Sequence, residues 1–112
     1  MKQKLISIAA SLFLASCGTT ANANDASTED LDHCYYLAEF AEVIMEYRQK
    51  GVPMTIQMKT VPQEGYKGRV LRAMVEDAYN QPFWSTPENK QRAVTEFTDD
   101  VFRLCIKATN EK

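Results

Sequence analysis

The 112-residue chain is 45% hydrophobic and 25% charged, a composition of ordinary globular domains rather than of disordered segments. That length holds one small domain and a leader, with no room for a second core. The formal net charge of −2 becomes more negative once Lys2 and Lys4 leave with the leader, which excludes bulk attraction to nucleic acid or anionic lipid.

Residues 1–4 carry both of those lysines, and residues 5–15 (LISIAASLFLA) form an apolar run of signal-peptide length, too short to span a bilayer comfortably. The chain is expected to be exported. Leu14, Ala15, Ser16 and Cys17 resemble the lipobox of bacterial lipoproteins, where the leader is cut before a cysteine whose sulfur receives a diacylglycerol. Ala21, Asn22 and Ala23 offer the competing A-x-A site, which would release a soluble protein beginning at Asn24. The lipoprotein reading is favoured, because Cys17 directly abuts the apolar run and the other cut leaves an unusually long polar stretch before it. Residues 1–16 are then the signal peptide, and the small, polar, aperiodic residues 17–27 a flexible tether. A single helical domain is expected over residues 28–110.

With Cys17 acylated or removed, Cys34 and Cys105 remain as an even pair in an oxidising compartment, so a disulfide is expected. In the chain-entropy model, closing a loop of about 70 residues stabilises by roughly 4 kcal/mol.

The domain is organised around residues 31–51, LDHCYYLAEFAEVIMEYRQKG. Leu31, Cys34, Ala38, Ala41, Met45 and Arg48 recur at helical spacing, and Leu37, Phe40, Ile44 and Tyr47 repeat it beside them, giving a wide buried stripe. Ser27, Thr28, Glu29 and Asp30 supply a cap and acids for the first turn, while Gly51 and Pro53 end the helix at Lys50. Asp32, Glu39, Glu46 and Lys50 form its wet face.

Residues 52–61 alternate enough to imitate a strand. Pro53 at a first helical position and the spacing of Met54 and Met58 favour a short helix, since a lone strand would have nothing to pair with. After a turn at residues 62–65, Tyr66, Val70, Leu71, Met74, Val75, Ala78 and Tyr79 make a second stripe, with Lys67, Arg69, Arg72, Glu76 and Asp77 turned to water. Gly68 hints at close packing. Asn80 and Pro82 end that helix, and residues 82–85 form an aromatic loop.

Thr86, Pro87 and Glu88 read as cap, first helical residue and acid, and Ser85 with Glu88 fits a capping box. The last helix is expected to bury Ala93, Val94, Phe97, Val101, Leu104, Cys105 and Ala108, with Phe102 off the stripe. The fold class is therefore all-α: three main helices plus one short one, the first and last joined by the disulfide. Bonding Cys34 to Cys105 requires those two helices to run antiparallel, and the short helix supplies the extra reversal.

No catalytic set is expected. His33 is the only histidine, so neither a zinc nor a di-iron set can be assembled around it, and a surface role is preferred. Asp99 and Asp100 sit at adjacent helical positions and point apart. No cofactor and no metal are expected, and no nucleic-acid partner either, since Glu76 and Asp77 follow the small basic patch of Lys67, Arg69 and Arg72 within about a turn of Arg72 and no exposed aromatic row accompanies it. Tyr35, Tyr36, Phe83 and Trp84 are the candidate partner-binding residues, because one helix cannot bury all these rings. The competing reading for Phe83 and Trp84 is a plug at the end of the bundle.

Cys34, Ile44 and Met45, the run Arg48-Gln49-Lys50-Gly51-Val52-Pro53-Met54, the run Ala78-Tyr79-Asn80-Gln81-Pro82, then Ala93, Val94, Phe97 and Cys105 together resemble a group of small exported proteins of bacteria and their phages. The resemblance covers almost all of the body and implies a paired-cysteine helical domain. It brings no activity, cofactor or catalytic residue. The resulting expectation is a non-enzymatic lipoprotein facing the periplasm, tethered to the membrane by Cys17 and contacting another envelope protein. A soluble binding module or inhibitor is the alternative.

Overall fold

The computed structural model describes residues 27–111, and these form four helices with no strand among them. They are α1 (Thr28–Gln49), α2 (Met54–Thr60), α3 (Gly65–Tyr79) and α4 (Pro87–Asn110). The expected leader, tether, lipid site at Cys17 and cut after Ala23 lie outside the described residues, apart from Ser27.

Local chemistry sets the helix ends. Ser27 caps α1, its hydroxyl accepting from the Asp30 N–H at 3.1 Å, and Glu29 and Asp30 occupy the positive end of the dipole. At the far end Gly51 takes φ +89°, the left-handed conformation that a Cβ disfavours. That lets the Gly51 N–H bond Arg48 O and the Val52 N–H bond Tyr47 O, both at 3.0 Å, which closes a Schellman motif. Thr86 caps α4 through the Asn89 N–H, with Pro87 in the first turn. The cap is therefore Thr86, and the Ser85–Glu88 capping box is not formed, because Pro87 starts the helix one residue later than that box requires. Pro53 likewise precedes α2 as its extended N-cap rather than serving as its first residue.

α1 lies at the centre. α4 packs along it most extensively, α3 packs on it beside α4, and α2 packs against α3. The α1–α4 pair is antiparallel: Cys34 near the start of α1 meets Cys105 near the end of α4, while Gln49 at the other end meets Lys90. α3 runs parallel to α1, since Lys67 reaches Tyr36 at one end and Tyr79 meets Arg48 at the other. The short α2 provides the reversal that this order of directions needs.

Met45, Leu71, Val75 and Cys34 are the largest wholly buried side chains, with Ala41 and Ala78 between them letting the backbones approach. A buried aliphatic side chain of this size contributes about 1.5–3 kcal/mol. Gly68 is buried where α3 crosses the chain entering it; a Cβ there would stand 2.6 Å from Pro62 O. Arg72, expected in water, folds back half-buried and donates to the same carbonyl at 2.8 Å.

Four stripe positions are corrected outright. Tyr47, Tyr66 and Leu104 are exposed, Tyr66 to 60% and Leu104 to 66%, because each stripe is wider than the surface its neighbours present. Ala108 is exposed where α3 and α4 diverge, and it lines the opening between them with Tyr66 and Val70.

Candidate functional site

The cysteine pair is bonded, with S–S 2.04 Å and Cα–Cα 5.5 Å. Cys34 is wholly buried and Cys105 half-buried, so the bridge closes the α1–α4 seam from inside. It staples the start of α1 to the end of α4.

The four aromatic candidates do not form one surface. Tyr35, 56% exposed, stacks on Phe102 with ring centres 5.0 Å apart, which gives that off-stripe phenylalanine its place. Tyr36 meets the edge of Phe40 and lies under the Lys67 ammonium at 5.1 Å. Phe83 and Trp84 sit at the opposite end of α1, about 20 Å away by helix rise. Phe83, 53% exposed, carries Lys90 Nζ 3.8 Å from its ring centre and Arg48 on its flank at 5.8 Å. Phe83 is about half exposed and Trp84 40% exposed, and the Trp84 N–H is held by a hydrogen bond, so each ring shows one part to solvent and rests the other on the bundle end.

What fixes that loop is a polar network at the C-terminal end of α1. Gln49 is only 3% exposed; its Nε2 donates to Pro82 O at 2.8 Å, and its Oε1 accepts from the Trp84 N–H at 3.0 Å. Lys90 Nζ donates to Gln49 O at 2.7 Å, and Arg48 Nη2 donates to Gln81 O at 3.0 Å over the Tyr79 ring. Buried Gln57 donates from Nε2 to Ile44 O at 3.0 Å and to Tyr79 Oη at 2.8 Å, and Tyr79 Oη in turn donates to Val52 O. The Gln49 amide serves loop backbone groups that no helix satisfies, while Gln57 ties α2 to a carbonyl of α1 and to the Tyr79 hydroxyl of α3, and these partners account for the burial of both amides. Periodicity missed Gln49 and Gln57, because it ranks glutamine as a surface residue. The clustering of Arg48, Gln49 and Lys50 before a glycine was the available signal.

A concave surface lies beside the disulfide, with Cys105 in its lining, at the end of α1 opposite the polar network. A groove of about 720 Å³ runs between α3 and α4 over the first turns of α1. Val70 and Met74 form one wall, Val101 and Leu104 the other, and Leu37 the floor. Glu29, Asp30, His33 and Asp77 line its rim. His33 is thus at the surface as expected, beside carboxylates. Among the described residues no group of three His, Cys, Asp or Glu side chains is placed to hold a metal ion, and no helix is long and apolar enough to cross a membrane. Asp99 and Asp100 point into solvent, Asp100 paired with Arg103 at 2.8 Å.

No family model, no curated protein and no solved structure matches this chain.

Proposed function

We propose that this protein is a non-enzymatic envelope lipoprotein, anchored through Cys17 and presenting its helical domain to another envelope protein. The observation that carries the reading is the allocation of cysteines. Cys34 and Cys105 are bonded to each other, so Cys17 is the remaining one of the three cysteines, and it directly follows an apolar run with Leu14, Ala15 and Ser16 before it. A buried disulfide supports an oxidising destination. The polar tether gives the domain reach above the membrane surface, and the resemblance to small exported paired-cysteine proteins agrees with this.

Metabolic labelling with an alkynyl palmitate analogue tests the anchor. Label is expected on the wild-type chain and absent from Cys17→Ser; an unlabelled wild type, or label that survives the substitution, refutes it. The A-x-A site at Ala21 and Ala23 favours the second reading, a soluble periplasmic binding module, and N-terminal sequencing beginning at Asn24 would establish that one instead.

A further inference from the structure

We infer that the groove between α3 and α4 is the docking site for one helix of a partner protein, amphipathic and carrying lysine or arginine along its flanks. This deepens the reading of the domain as a partner-binding module and does not depend on the lipid anchor.

The shape is that of a bundle with three of four positions filled. α3 and α4 both pack on α1 and hardly touch each other, so their facing sides diverge above Leu37. The α3 wall runs from Tyr66 to Asp77, about 16 Å at the α-helical rise, which accommodates roughly three turns of a further helix. Leu104 and Tyr66 stand out from the walls, 66% and 60% exposed, although both occupy stripe positions. Helix-in-groove recognition takes apolar anchors at i, i+3, i+4 and i+7 against walls of this kind.

Charge selects the occupant. The residues lining the groove include Glu29, Asp30 and Asp77 and no lysine or arginine. An anionic lipid surface would be repelled by that rim. A second copy docking about a two-fold axis would set the same carboxylates against each other. A helix with basic flanks meets the rim with opposite charge and the walls with apolar area.

The test titrates the exported protein, oxidised and purified, with a fluorescent Leu–Lys peptide of about 14 residues whose leucines follow helical i, i+3, i+4, i+7 spacing. A Leu–Glu peptide of the same pattern, phosphatidylglycerol vesicles and sedimentation equilibrium run beside it. The Leu–Lys peptide is expected to bind at least about tenfold tighter than its Leu–Glu twin, and increasingly weakly as salt is raised. Leu104→Glu, at a position 66% exposed and checked by its melting temperature, should weaken binding about tenfold or more, while Ile56→Glu on α2 leaves it unchanged. Equal binding of both peptides, or binding indifferent to Leu104→Glu, overturns the proposal. So does a dimer that Leu104→Glu dissolves, which assigns the groove to a second copy, or vesicle binding that this substitution abolishes, which assigns it to lipid. Palmitate labelling of Cys17 is untouched by any of these outcomes, so the groove and the anchor fail separately.

Discussion

Gln49 shows how much of this fold hangs on single polar side chains. Its amide satisfies Pro82 O and the Trp84 N–H together, and its own carbonyl takes the Lys90 ammonium. In Gln49→Ala two loop groups lose their partner at a part-buried site, at about 1–3 kcal/mol for such stranded groups, since the loop can hydrate only partly. The expected result is a fall in melting temperature of about 4–8 °C per kcal/mol, with a change in Trp84 emission as the loop loosens. Gln91→Ala, exposed on α4, should stay within about 0.5 kcal/mol of wild type. A Gln49→Ala loss no larger than that of Gln91→Ala would show that the amide does not hold the loop. Gly51 and Gly68 were legible from the chain alone, because a helix stop and a close approach are properties of a missing Cβ. Gln49 and Gln57 were not, since their burial is decided by carbonyl and amide groups that lie 13 to 35 residues away.

Among the helices, α1 and α4 carry the architecture, and their antiparallel pairing was readable from two cysteines. One sulfur near the start of the first helix and one near the end of the last cannot meet any other way. The staple should matter in proportion. For a loop closed by residues 71 apart, the entropic model gives roughly 4 kcal/mol, a large share of what a domain this size has to spare. Cys105→Ser, or reduction with dithiothreitol, is therefore expected to lower the melting temperature by more than about 10 °C and to open the domain to protease. Thermal melts of the oxidised and reduced protein decide it, and near-identical midpoints would contradict the argument. The short α2 was recognisable as a helix from Pro53, from the spacing of Met54 and Met58 and from the lack of a strand to pair with. Its apolar residues alternate like a strand, and what settles it is Gln57 reaching α1 and α3 at once.

Taken together, the helices are tight at one end and open at the other. Around Ala41, Met45, Val75 and Ala78 the layers converge, and near the C-terminus of α1 the polar network ties α2, α3 and the aromatic loop to it. Toward the start of α1, α3 and α4 diverge and leave the groove. Backbone amides in the middle of α1 should therefore be the slowest to exchange with deuterium, and those of α4 beyond Cys105 markedly faster, with a basic helical peptide in the groove slowing the latter. Uniform protection along α4 would remove the basis for an open end. The amino-acid order determines the four helices, the Ser27 and Thr86 caps, the all-α class and the disulfide, because these depend on side-chain period, on capping hydroxyls, on Cβ-free or proline backbones and on a count of cysteines. Tertiary packing alone decides which half of each stripe is covered. Tyr66, Leu104 and Ala108 have the same helical spacing as Leu71, Val94 and Phe97, and only the divergence of α3 from α4 leaves the first three facing water. Periodicity records which side of a helix is apolar, whereas burial depends on whether another helix extends far enough to cover it.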